Sequence, residues 1–179
     1  MKANKQKTFK QLFNDHHDWV YNVCYRMSGS RAEAEDITQD VFVKIFHSIE
    51  KFRGEAKLSS WIYRITVNTC LKKQRRKKLE NLMSLEFMFQ DKGKTQLPSP
   101  DHTPDQQVEI SEKEQIVQRA IHQLSERQKT ALILQRYEEL SYDEIAAIMD
   151  ISLSAVESLL RRAKENLAKI LIHQKKDLL

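Results

Sequence analysis

A chain of 179 residues has room for one ordinary domain or two small ones. Hydrophobic residues at 40% and charged residues at 31% describe a charge-rich protein that still buries a core, and only three glycines and three prolines occur. Strand-rich folds need turn residues every ~8–12 positions, so an all-helical chain is expected. The phosphate-cradling patterns G-x-x-x-x-G-K and G-x-G-x-x-G are absent from the sequence, which argues against a nucleotide-binding enzyme. Cys24 and Cys70 stand far apart without a Cys-x-x-Cys, so neither a disulfide framework nor a zinc ribbon is expected. No apolar run approaches the ~18 residues of a membrane span, and a reduced, cytoplasmic protein is the simplest expectation.

Phe9, Leu12 and Phe13 open a first helix that continues through Val20, Val23 and Cys24 toward Met27 and breaks at Ser28-Gly29-Ser30. Ser30 and Glu33 have the spacing of a capping box, in which each side chain satisfies the other residue's free backbone N–H. The next helix, about 31–50, sets Ile37, Val41, Ile45 and Ile49 on one face, with Phe42 and Phe46 widening the stripe. After a loop over 51–57, a third helix, about 58–79, carries Leu58, Ile62, Ile65, Thr69 and Leu71. It ends in Lys72-Lys73-Gln74-Arg75-Arg76-Lys77-Lys78.

Pro98, Pro100 and Pro104 cluster among Ser99, Asp101, Thr103 and Asp105, a composition that cannot bury enough apolar surface to fold alone. Residues 82–110 therefore read as a flexible linker, in which Leu82, Leu85, Phe87, Met88 and Phe89 offer a short docking segment. Beyond it, Ser111…Glu114, Ser125…Gln128, Ser141…Glu144 and Ser154…Glu157 each have the spacing of a helix start, with Ser152 competing for the last cap. Three short helices and a longer last one are expected, with apolar stripes Ile116/Ala120/Leu124, Leu132/Ile133 and Ile145/Ile148/Met149. Each histidine reads as a surface residue, since no H-x-x-x-H or carboxylate pairing accompanies it.

Charge is unevenly placed along the chain. Residues 1–80 carry 17 Lys/Arg against 9 Asp/Glu; residues 111–150 carry 5 against 8; residues 151–179 carry 6 against 3. Two basic zones beside helical patterns suit counterion-releasing contact with nucleic acid, the alternative being a solvated charged surface.

Residues 142–161 fit a helix-turn-helix. Ala146 stands where the helices cross, Ile145, Met149, Ile151, Val156 and Leu159 take the buried positions, and Asp150-Ile151-Ser152 forms the turn. Most such turns hold glycine where this one has Asp150. The second helix points Leu153, Ser154, Glu157, Ser158, Arg161 and Arg162 outward, with Lys164 and Lys169 toward a phosphate backbone. The same apolar pattern also describes an ordinary helical hairpin.

Five blocks carry a resemblance: Asp36-Ile-Thr-Gln-Asp-Val-Phe42, Phe52-Arg-Gly-Glu55, Trp61-Ile-Tyr-Arg-Ile-Thr-Val-Asn68, Leu140-Ser-Tyr-Asp-Glu-Ile-Ala146 and Ser154-Ala-Val-Glu-Ser-Leu-Leu-Arg-Arg-Ala-Lys164. Their order and spacing resemble the extracytoplasmic-function (ECF, group IV) sigma factors of the bacterial sigma-70 family. The resemblance covers roughly 8–80 and 112–172. It implies an all-α chain with a sigma-2-like domain at 1–81, a linker at 82–110, a sigma-4-like helix-turn-helix domain at 111–173 and a tail at 174–179. It also implies a factor without enzymatic activity, cofactor or metal. Such a factor directs core RNA polymerase to promoters and helps open them, often under an anti-sigma factor that can hold it at the inner membrane face.

Residue by residue, the resemblance assigns Asp36, Gln39, Asp40, Phe42 and Val43 to the coiled coil of the polymerase's largest subunit, with the flap region as a further polymerase contact. Phe52, Arg53, Lys57, Trp61, Arg64 and Asn68 match the minus-10 reader, and Lys72, Lys73, Arg75 and Arg76 follow the backbone there. Trp61 also reads as a core aromatic. Ser152, Ser154, Glu157, Ser158, Arg161, Arg162 and Lys164 match the minus-35 reader. Many family members are basic where Glu157 and Leu159 stand, so a promoter sequence does not carry over. Glu157 either accepts from a cytosine amino group or serves the helix N-terminus. The competing readings are a two-domain repressor or activator, which would expect a ligand pocket or dimer face in the first module, and a recombinase, which would need a catalytic constellation.

Overall fold

The computed structural model describes residues 2–52, 54, 57–90 and 112–176, with side chains over 9–52, 54, 57–83 and 115–173. Every regular element among them is helical: α1 (Lys2–Ser28), α2 (Arg31–Ser48), a 3-10 turn (Ile49–Lys51), α3 (Leu58–Gln90), α4 (Glu112–His122), α5 (Glu126–Arg136), α6 (Tyr142–Met149) and α7 (Leu153–Lys176). Ser111, most of the expected linker and residues 177–179 lie outside the described residues.

In the first module α1, α2 and α3 pack together. Val20, Val23, Ile37, Val41, Ile45 and Ile62 are fully buried among them, each such side chain contributing about 1.5–3 kcal/mol of transfer free energy. The expected stripe on α2 is thus the core face, with Ile49 at its half-buried edge. Gly29 ends α1 at φ 77°, a left-handed conformation that costs glycine little, and its N–H donates to Tyr25 at 2.8 Å. Ser30 then caps α2 by accepting from the Glu33 N–H. The capping box is only half formed, because the Glu33 carboxylate pairs with Lys77 of α3 at 2.8 Å. Buried hydroxyls are satisfied locally: Thr38, Thr66 and Thr69 donate to the carbonyls of Ala34, Ile62 and Ile65. Gln74 of α3 donates to the Met27 carbonyl at 2.8 Å, satisfying one of the orphan acceptors at the end of α1.

Cys24 and Cys70 are brought together in this core as free thiols, 3.9 Å between sulfurs. The Cys70 thiol is held well above its usual range by that contact and by burial.

The third helix continues to Gln90, past the boundary expected near 79. A basic run is no helix stop, and no glycine or proline follows until Gly93. Leu79, Leu82 and Met83 consequently stand exposed on helix.

In the second module α5 is enclosed: Lys129 through Leu134 are all buried, as befits a central helix. Lys129 keeps its charge paired with Glu126 at 3.1 Å. Ser125 sits at the N-cap of α5 without a side-chain bond, and Gln128 instead accepts from Asn166 of α7 at 3.2 Å. Ser141 and Glu144 form a complete capping box on α6. Asp150 adopts the left-handed conformation (φ 55°, ψ 53°) that glycine holds in most such turns. Ser152, not Ser154, caps α7, accepting from the Ala155 N–H at 3.2 Å. Val156, Leu160 and Ala163 are fully buried on α7, while Leu159 is only half-buried. Val156 is buried as expected, and only Leu159 stands one position early, since one helical step is a 100° rotation.

The two modules touch. One continuous apolar core joins Val23, Ile45 and Ile62 to Ile133, Ile145 and Val156.

Candidate nucleic-acid interfaces

On α2, Asp36, Gln39, Asp40 and Val43 share an exposed face, as helical spacing dictates. Phe42 does not join them. It is buried, its ring 4.6 Å from Phe13 and in edge contact with Phe9. Position 42 follows 38 and 41 around the helix onto the core face, so its assignment as a surface contact is corrected. A groove of about 480 Å³ opens beside this stripe, lined by Phe13, His17, Tyr21, Glu35, Gln39 and Phe42, with Thr38 at its base.

Lys57, Trp61, Arg64 and Asn68 recur at helical spacing along the start of α3 and form one face. Lys57, Arg64 and Asn68 are exposed. Trp61 is half-buried, and Phe52 leans its ring on it at 5.3 Å. Trp61 thus anchors the loop as well as bordering the face. Gly54 turns at φ 73° with open space around it; Arg53 lies outside the described residues.

The basic run is divided. Lys72 and Arg75 are exposed, Arg76 pairs with Glu80 at 2.7 Å, and Lys73 leans 3.9 Å from Asp36. With Lys77 on Glu33, two of the six basic residues of the run lean on the acidic side of α2.

At the second module, Ser152, Ser154, Glu157, Arg161, Arg162 and Lys164 are exposed along α7, and Ser158 is half-buried. Ser152 and Ser154 share a hydroxyl contact at 3.1 Å, and Arg161 pairs with Glu165 at 2.9 Å. Because α7 begins at Leu153, Glu157 falls in its second turn, beyond where the helix dipole acts strongly.

Sequence reasoning missed Tyr63, Arg26, Tyr137 and Glu138. The Tyr63 ring lies 4.1 Å from that of Trp19, tilted by 38°, and its hydroxyl donates to Glu138 at 2.7 Å. Burial and that carboxylate push its phenol far above the usual range. Glu138 is only 8% exposed and faces Arg26 at 3.7 Å; the Arg26 guanidinium lies 4.5 Å over the Tyr137 ring. Lys57 reaches Glu144 at 3.4 Å, and Arg64 reaches Asp150 at 3.9 Å. The backbone hydrogen bond at Ser141, then its hydroxyl and Lys57, hold the Glu144 carboxyl below its usual range.

His122 is not a surface histidine. It lies half-buried against Gly29, where an added Cβ would meet its ring at 2.8 Å. Burial, assisted by Lys129, lowers its pKa to about 4. His16 accepts from the Trp19 indole at 3.0 Å.

Among the described residues, no three His, Cys, Asp or Glu side chains gather as a metal site, and no helix is long and apolar enough to cross a membrane.

The chain matches Sigma-70 region 2 over residues 12–80 and Sigma-70, region 4 over residues 114–167. It is 38% identical to an ECF RNA polymerase sigma-E factor of Haemophilus influenzae, over 89% of this chain and 85% of that one. It is 31% identical to the ECF RNA polymerase sigma factor SigW of Bacillus subtilis, over 94% and 91%. The fold is similar to that of the sigma factor RpoE solved in complex with the anti-sigma factor NepR from Bartonella quintana. That similarity has a TM-score of 0.72 at 25% identity, covering 92% of this chain and 97% of that one. With both regions matched in order and relatives alike over nearly their whole length, the chain belongs to the ECF sigma factors of the sigma-70 family.

Proposed function

We propose that this chain binds core RNA polymerase in the cytoplasm, directs it to a defined set of promoters and assists their opening. The observation that carries the reading is the separation of three surfaces on one small chain. They are an acidic and polar stripe on α2, an aromatic and basic face at the start of α3, and an exposed polar and basic face on α7.

The α2 stripe of Asp36, Gln39, Asp40 and Val43 suits a basic, partly apolar partner and is assigned to the coiled coil of the polymerase's largest subunit; the second module takes the flap region. Opening DNA costs about 1.4 kcal/mol per stacked step. A factor that hydrolyses no nucleotide must recover this by capturing unstacked bases, and base–aromatic stacking returns about 1–3 kcal/mol each. Phe52 and Trp61 supply the rings, Asn68 an amide for a base edge, and Lys57 and Arg64 phosphate contacts. Lys72 and Arg75 extend this along the backbone, adding affinity without sequence choice. Ser154, Glu157, Ser158, Arg161 and Arg162 enter the major groove at the minus-35 element, with Lys164 on the backbone. An anti-sigma factor is the expected regulator, as RpoE of Bartonella quintana was solved with one.

The test mixes purified chain with core polymerase and a library of genomic templates and sequences the run-off transcripts. Defined start sites that require the chain support the reading. Tight duplex binding by the chain alone, with no polymerase-dependent transcript, would indicate a repressor.

A further inference from the structure

We propose that Cys24 and Cys70 are a peroxide-responsive thiol pair: Cys24 is oxidised first and Cys70 resolves it, leaving a reversible disulfide that ties α1 to α3.

The chain holds two cysteines, and the fold sets them against each other from 46 positions apart, with 3.9 Å between sulfurs. No third thiol competes for either. A disulfide needs about 2.05 Å, a closure of roughly 1.9 Å that side-chain rotation and a small shift of the two helices can share.

The two thiols are chemically unequal. Cys70 directs its S–H at the Cys24 sulfur. That contact holds the Cys24 thiol below its usual range against the opposing effect of burial. The same contact, with burial acting in concert, holds Cys70 well above it. Thiolate is the form that reacts with peroxides, so Cys24 attacks and Cys70 resolves.

A route to the pair is in place. The Cys24 thiol lies beside the Thr38 hydroxyl, and Thr38 is the base of the groove of about 480 Å³ between α1 and α2. Hydrogen peroxide takes up roughly the volume of two waters, ~60 Å³, and fits there. Both sulfurs are shielded from solvent, so a brief parting of the helices at Thr38 admits the reagent.

In the first step the Cys24 thiolate attacks one peroxide oxygen and the O–O bond breaks. The departing hydroxide takes up a proton equivalent to the one Cys24 gave up, leaving sulfenic acid and water. In the second the Cys70 sulfur attacks the Cys24 sulfur, the S–O bond breaks, and hydroxide leaves with the Cys70 proton as a second water. The thiols together lose two electrons and two protons, and peroxide is reduced to water. A dithiol such as dithiothreitol reverses the bond by exchange.

The test treats reduced full-length chain with hydrogen peroxide in modest excess at neutral pH, removes the peroxide with catalase, then unfolds the chain in urea with iodoacetamide and measures its intact mass. Wild type should take up no alkyl group, remain a monomer on a non-reducing gel and give a cross-linked Cys24–Cys70 peptide, and dithiothreitol should restore both alkylation sites. In Cys70→Ser, where a hydroxyl still donates to Cys24, the reaction should stop at a sulfenic acid that dimedone captures. Cys24→Ser should be oxidised at Cys70 at least about tenfold more slowly than Cys70→Ser is at Cys24. Circular dichroism before treatment establishes that both variants are folded, and the wild-type result requires neither. Two alkylated thiols in treated wild type, when the same treatment in urea forms the disulfide, would show an inert buried pair and overturn the proposal. Disulfides formed between chains, or Cys24→Ser oxidised as fast as Cys70→Ser, would overturn it as well.

Discussion

Lowering the pH from 7 toward 4 protonates His122 in the unfolded chain before the folded one. In the fold its imidazole is buried against Gly29, with Lys129 adding repulsion. Its pKa is accordingly lowered to about 4 from an ordinary 6.5. Between those values the unfolded state binds more protons, so this contribution to stability is fully present above pH 6.5 and is lost as the pH falls through the window. A shift of this size corresponds at pH 5 to about 2 kcal/mol; the ring is not wholly dehydrated, so about 1 kcal/mol is the discounted figure. Urea unfolding at pH 7, 6 and 5 tests it against His122→Gln, whose amide does not titrate. With a slope near ~2 kcal/mol/M, the wild-type midpoint should fall by about 0.5 M more than the variant's between pH 7 and 5. Parallel curves would refute the argument that the junction holds this histidine neutral.

Reversing Asp36 and Asp40 to lysine should reduce co-purification with core polymerase at least about tenfold while leaving thermal stability nearly unchanged, because surface pairs such as Asp36–Lys73 contribute only ~0–1 kcal/mol; normal retention on a polymerase affinity column would remove the docking role. Asn68→Ala should lower permanganate reactivity of thymines near the start site with core binding intact, and unchanged footprints would exclude its contact with a base. Ile45→Ala, at a fully buried position of α2, should cost about 2–5 kcal/mol in denaturant unfolding, whereas a loss below ~1 kcal/mol would mean that the core is not close-packed there.

The helices, their order and most of the core were legible because Ile37, Val41 and Ile45, or Ile145 and Ile148, repeat at a helical period that burial then obeys. The left-handed Asp150 and the cap at Ser152 were legible from turn chemistry. The helical period set Phe42 on the core stripe, where burial finds it, and only the family resemblance carried it over to the docking face. The length of α3 was missed because charge was read as a terminus although nothing in 79–90 breaks a helix. The junction was out of reach for a different reason. Tyr63 and Glu138 are 75 positions apart, and neither periodicity nor composition reports which surface of one module meets the other. His122 and Gly29 pass unnoticed for the same reason: each is ordinary alone and informative only in contact.

Hydroxyl-radical footprinting on a promoter fragment recovered from the run-off library most directly tests whether the chain reads DNA as part of the polymerase. Chain alone and core enzyme alone should leave the fragment evenly cleaved, and the two together should protect two separated patches upstream of the start site. Protection of either patch by the chain alone, or none when both are present, would contradict the account.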